Sequence, residues 1–284
     1  MFWTIFKNYL NFTINDNIIF VPKSIDFDAS HTLECGQVFR YKVRDFGYTV
    51  YSLEHKADIY CQNDGTKIFT KDKKYFINYF DFCTNYAKIK SSLSVYPYLK
   101  PAIEYGNGIR ILKGDLLEII IEFIISQNNN IPRIKTIIEK ICESYGKNMG
   151  DYFAFPTLSS LKSIPLEFFK KIGCGYRDKY LFDTISCLSY EYLDNLKLMS
   201  TIDARNSLLK LKGVGKKVAD CILLFGLHKT DVFPTDTWIV KAYCKYYNSN
   251  ESDAKKISCK LESEFGELSG YAQQYLFYQM RENS

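Results

Sequence analysis

Two residues of this 284-residue chain have the type and setting for covalent chemistry. One is Lys217 in Leu211-Lys212-Gly213-Val214-Gly215-Lys216-Lys217-Val218, and the other is Asp236 in Pro234-Thr235-Asp236. A lysine amine is a nucleophile only when neutral, and the positive end of a helix dipole together with partial burial favours that form. A carboxylate nearby would steady positive charge developing on the carbon under attack, as on a sugar losing its substituent. The pair suits an amine attacking an electrophilic carbon, and calls for neither a metal nor an organic cofactor.

The surrounding sequence must place both groups. Ser200-Thr201-Ile202-Asp203 has the form of a capping box, and Ala204, Leu208, Leu209 and Leu211 follow at helical spacing, so a helix is expected to end near Lys212. Gly213-Val214-Gly215 then reverses the chain, and Val218, Cys221, Ile222 and Phe225 resume the period on a second helix. The result is a helix-hairpin-helix over about residues 200–228. Backbone N-H groups at Gly213, Gly215 and the new helix start lack intrahelical partners and could receive a phosphate, with Lys212 and Lys216 beside them. Such an anchor holds a strand without reading its bases. Taken alone, the same residues fit an ordinary helix C-cap, a solvated lysine and an aspartate that caps the helix from Thr237 to Tyr247.

Further motifs flank this core. Leu33-Glu34-Cys35-Gly36-Gln37-Val38-Phe39-Arg40 precedes a run of β patterns. Leu116 to Ser126, apolar almost all round, reads as a buried central helix stopped by Gln127-Asn128-Asn129-Asn130, with Pro132 opening the next helix to Ser144. Gly173-Cys174-Gly175-Tyr176-Arg177 follows, then Phe182 to Leu193 as scaffold helix. Near the end, Gly270-Tyr271-Ala272-Gln273-Gln274-Tyr275-Leu276-Phe277 puts Gln273 and Phe277 on one helix face.

A glycine hairpin, a lysine and then Pro-x-Asp resemble the helix-hairpin-helix, Gly/Pro-Asp superfamily of DNA glycosylases, and Gly213 to Cys221 resembles its 8-oxoguanine DNA glycosylases in particular. The resemblance implies that Lys217 and Asp236 are catalytic, and that Gly36, Cys221, Gln273 and Phe277 bind the lesion base. It further implies that Asn128, Arg133, Tyr176 and Arg177 fill the gap and meet the opposite base, and that Lys212, Gly213, Gly215 and Lys216 hold phosphate. At Gly36 the chemistry is direct: 8-oxoguanine carries hydrogen on N7, whereas guanine presents a lone pair there, so a backbone carbonyl bonds one and repels the other. An aromatic wedge and arginine donors would offset the cost of the unstacked hole left by the extruded nucleotide. The matching segments run from Leu33 to Phe277. One departure is Trp238, where family members often carry a phosphate-holding histidine, which puts one backbone contact in doubt. The partner implied is double-stranded DNA with an oxidised purine, met by a monomer inside the cell and associated with DNA (the nucleoid, in a bacterium). Two alternatives remain: a glycosylase for another lesion, and a non-catalytic DNA-binding module.

Composition sets wider bounds. With 46% hydrophobic and 24% charged residues the chain can bury a sizeable core, and a net charge of +5 permits a nucleic-acid partner without requiring one. Nine cysteines without a CxxC pair indicate reduced thiols, neither zinc site nor disulfide framework. Some members of the superfamily hold an iron-sulfur cluster on four cysteines after the aspartate helix; only Cys244 and Cys259 lie there. Residues 1–16 lack a basic segment leading into an apolar run, and Glu118 and Glu122 interrupt the most hydrophobic stretch, so neither secretion nor membrane insertion is expected. Expected strands are Val38 to Val43, Tyr48 to Leu53, Ala57 to Cys61 and Lys67 to Thr70, with turns at Asp45-Phe46-Gly47 and Asn63-Asp64-Gly65. The expected fold is α+β: an antiparallel β domain over residues 1–105, then a helical domain over 106–284 whose last helix closes the base pocket.

Overall fold

A computed structural model of the protein describes residues 12–15 and 17–282. The targeting expectation for the first sixteen residues therefore falls mostly outside the described part. Among the described residues, no helix is long and apolar enough to cross a membrane.

Among the described residues, six strands form one antiparallel sheet: β1 Thr13–Asn15, β2 Ile18–Pro22, β3 Tyr41–Arg44, β4 Gly47–Ser52, β5 His55–Cys61 and β6 Gly65–Phe69, in the order β1-β2-β6-β5-β4-β3. Ile19 pairs with Ile68, Ile68 with Ile59 and Ile59 with Tyr48, a β-branched ladder whose three isoleucines are fully buried. β1 and β2 go beyond the four expected strands. The run Ile18-Ile19-Phe20-Val21 is apolar throughout and so lacks the alternation that marks a half-buried strand. The first expected strand starts later, at Tyr41, because the preceding residues turn into the interface with the helical part.

The expected β character up to about residue 100 is corrected by helices Lys73–Tyr79, Tyr86–Leu93 and Lys100–Tyr105. Phe76, Tyr79 and Phe80 are buried at helical spacing with ring centroids 5.1–5.9 Å apart, and the Asn85 side chain caps the second of these helices. Aromatic residues favour strands by propensity, and here tertiary packing overrides it.

The central helix, Leu116–Ser126, is buried at every position from Leu116 to Ile125, two glutamates included. Glu118 joins it to the sheet: its carboxylate accepts Leu53 N-H at 2.9 Å and pairs with Arg40 at 3.3 Å. Burial, reinforced by Glu118, pushes the Glu122 carboxyl well above the usual carboxylate range. Against this helix packs Lys216–Gly226, the second helix of the hairpin.

The hairpin's first helix, Thr201–Leu208, is capped by Ser200 and stops short of Lys212; Leu209, Lys210 and Leu211 continue in tight turns. Of its two glycines, Gly213 alone has positive φ, at +77°, and a Cβ there would lie 2.6 Å from the Tyr180 ring. Strain and clash coincide, so Gly213→Ala is expected to cost roughly 1–3 kcal/mol of stability by denaturant titration. Gly215→Ala, with ordinary φ and open space, should stay near wild type.

The Asp236 side chain caps the helix Thr237–Tyr247, and the closing helix, Ser269–Glu282, packs against both that helix and Lys100–Tyr105. The closing helix also reaches the loop before β3, where Gln274 bonds the Cys35 carbonyl, and this completes the site.

Candidate active site

One cleft is lined by Gly36, Lys217, Cys221, Asp236, Gln273 and Phe277, contributed by the loop before β3, the second hairpin helix, the Pro234 loop and the closing helix. Its cavity of about 30 Å³ has room for water but not for a purine. Phe277 is responsible in part, since its ring stands 3.5 Å from where a Gly36 Cβ would be.

The central helix supplies the floor, which the sequence motifs did not single out. Phe123 stacks on Phe225 at 5.5 Å, and the Lys217 Nζ lies 5.4 Å from the Phe123 centroid. A lone phenylalanine in an apolar helix carries no signal that would separate it from core. Cys221 lies one turn beyond Lys217 and lines the same cleft; burial pushes its thiol up to about 11 although Lys217 opposes that shift, so the thiol stays protonated and is no rival nucleophile near neutrality.

Asp236 is both cap and cleft residue. Its Oδ1 accepts Trp238 N-H and Ile239 N-H, each at 3.0 Å, which fixes the carboxylate at the positive end of the helix. Trp238 carries Lys241 Nζ 4.3 Å from its ring. Gln273 is 5% exposed and its Oε1 is buried without a partner. An orphaned buried acceptor of this kind is costly unless a ligand donor meets it. Gly36, with φ +82°, also lines the cleft, and no donor meets its carbonyl among the described residues.

The neighbouring lysine behaves differently from expectation. Lys216 does not stand beside the hairpin N-H groups as a phosphate ligand: its Nζ turns inward to Asp220 at 2.7 Å, Ser258 at 2.6 Å and Glu262 at 3.2 Å. Arg205 completes the cluster on Asp220 and Glu262, and Glu262 also accepts Phe233 N-H at 3.3 Å, so the network ties the hairpin to the loop carrying Asp236. A buried carboxylate, Asp220, beside a half-buried one, Glu262, calls for cations to offset their charge, and Lys216 is one of them. Lys212 remains exposed, while its carbonyl accepts the Thr184 hydroxyl at 2.9 Å. Gly213 and Gly215 keep their N-H groups unpaired among the described residues.

The third group lies at the asparagine loop and the glycine-tyrosine-arginine turn. Tyr176 is 53% exposed, and Asn128 and Arg133 are exposed too. Arg177 is not: at 3% exposure it donates to the carbonyls of Gln127, Asn128 and Cys174, so it staples the loop to the turn instead of standing free for a base. Arg133 donates to the Gly173 carbonyl at 2.8 Å. Asn128 has φ +44°, a strained loop tip of the kind found at ligand contacts.

A family model for the 8-oxoguanine DNA glycosylase N-terminal domain matches residues 18–120, and one for the HhH-GPD superfamily of base excision DNA repair proteins matches 121–267. The chain belongs to the 8-oxoguanine DNA glycosylase branch of the HhH-GPD superfamily. Among its solved relatives is the Clostridium acetobutylicum 8-oxoguanine glycosylase/lyase in complex with double-stranded DNA containing cytosine opposite 8-oxoguanine, with TM-score 0.89 and 37% identity over 96% of this chain and 98% of that one. The N-glycosylase/DNA lyase OGG1 of Arabidopsis thaliana is 35% identical over 60% of this chain. A probable N-glycosylase/DNA lyase of Methanothermobacter thermautotrophicus is 31% identical over 64% of this chain and 67% of its own length. The match spans 52% of the Arabidopsis protein, about half its length. In this HhH-GPD chain the two family models meet inside the central helix, the element that touches both the sheet and the hairpin.

Proposed function

We propose that the protein is a bifunctional 8-oxoguanine DNA glycosylase acting in base excision repair. The observation that carries this reading is the convergence of Lys217 and Asp236 on one cleft with Gly36 and the orphaned Gln273 amide. The hairpin N-H groups and Lys212 would anchor one phosphate, Tyr176 and Asn128 would occupy the gap, and the extruded base would displace Phe277 and stack on it.

In the chemical step the Lys217 amine bonds to C1′ while the glycosidic bond breaks, and its electron pair leaves with the base, which takes up a proton. Asp236 steadies the positive charge shared by the sugar carbon and ring oxygen. Ring opening, with the nitrogen's proton passing to the ring oxygen, gives an imine between Lys217 and C1′; loss of a C2′ proton expels the 3′ phosphate by β-elimination, and water then hydrolyses the imine and frees the amine. Phe123 and Phe225 beneath the amine keep bulk water from competing.

A panel of otherwise identical duplexes carrying 8-oxoguanine, an oxidised pyrimidine, an alkylated purine or an abasic site tests the substrate. Fastest nicking at 8-oxoguanine among the three damaged bases is expected. Preference for the pyrimidine or the alkylated purine would assign another lesion, and binding without scission of any duplex would reduce the protein to a DNA-binding module.

A further inference from the structure

The loop that offers Gly36 is held from opposite sides. Gln37, fully buried, donates to the carbonyls of Thr32 and Arg110 and accepts Leu112 N-H, all at 2.8 Å. From the closing helix, Gln274 Nε2 donates to the Cys35 carbonyl at 3.1 Å and Arg281 Nη2 donates to the Glu34 carbonyl at 2.6 Å. The Arg281 guanidinium also lies over the Phe277 ring, 5.4 Å from its centroid. Peptide carbonyls immediately before Gly36 are thus tied to the helix that carries Gln273 and Phe277.

Resting on the function proposed above, we infer that Gln274 and Arg281 are positioning residues that set selectivity for 8-oxoguanine by stiffening the Gly36 carbonyl. A carbonyl facing the N7 lone pair of guanine repels it only as far as the loop cannot retreat, because a shift of a few tenths of an ångström relieves the clash. A carbonyl facing the N7-H of 8-oxoguanine gains nothing by moving. Stiffness therefore converts a weak preference into discrimination. Placing both clamps on the closing helix keeps this carbonyl in register with the groups that meet the rest of the base.

Arg281→Met, Gln274→Leu and Arg281→Lys are compared with wild type in single-turnover assays on duplexes holding 8-oxoguanine, guanine or a preformed abasic site. The ratio of 8-oxoguanine to guanine excision should fall about tenfold in the first two, the change that about 1.4 kcal/mol produces. Abasic cleavage should stay within about twofold, and the lysine variant should recover most of the selectivity. An unchanged ratio overturns the inference, as does loss of abasic cleavage in step with excision, which marks a merely structural role. A wild-type chain that cleaves abasic sites but ignores 8-oxoguanine instead removes the substrate reading itself.

Discussion

Lys217→Gln abolishes strand nicking at 8-oxoguanine, by a factor on the order of 10⁶, the scale of loss when an enzyme is deprived of its covalent nucleophile. The size of the effect follows from the absence of a substitute. Lys216, the adjacent amine, is committed to Asp220, Ser258 and Glu262, and the Cys221 thiol is held protonated by burial. Glutamine keeps most of the length of the side chain over Phe123, so the helix and the hairpin amides remain in place. Duplex affinity in a gel-shift titration should therefore change by no more than a few-fold. Nicking at a rate near wild type would show that another group attacks the sugar.

Asp236→Asn should slow base excision by roughly 10²–10³-fold, the usual consequence of removing a group that stabilises transition-state charge. The substitution is informative because Asp236 has two tasks. Its Oδ1 caps the helix Thr237–Tyr247 through two N-H groups, and asparagine caps about as well, so only the charge is lost. Asp236→Ala loses both and should cost about 1 kcal/mol of stability in addition. Thermal melting and single-turnover kinetics on the two variants separate the tasks. An asparagine variant excising at the wild-type rate would leave the aspartate a helix cap and nothing more.

The site was legible where local chemistry forces a residue type. Gly213 must be glycine for its backbone angle and its approach to Tyr180, and it stood out in the sequence as a chain reversal between two helical patterns, whereas Gly36, also at positive φ, was singled out only by the resemblance of its segment. Lys217 and Asp236 stood out through their motif context, and both line the one cleft with Gly36, Cys221, Gln273 and Phe277. What the sequence hid depends on long-range partners. The exposed-looking lysine of the hairpin, Lys216, is drawn inward by Glu262, a residue of a helix that begins 38 positions later, and spacing says nothing of that pairing. Arg177 reads as a donor for DNA, yet three carbonyls of its own chain hold it. Phe123 looks like any core residue until Lys217 is placed above it. For the fold, the turns at Asp45-Phe46-Gly47 and Asn63-Asp64-Gly65 were plain, whereas Lys73–Tyr79 was masked by aromatic residues whose propensity points to strands.

The most direct measurement is chemical. Borohydride reduction during reaction with an 8-oxoguanine duplex, followed by proteolysis and mass spectrometry of the cross-linked peptide, locates the bond between protein and sugar. A reduced adduct carried by Lys217 is the expected result. An adduct on Lys216, on any other amine, or none at all while the strand is cut, would contradict it.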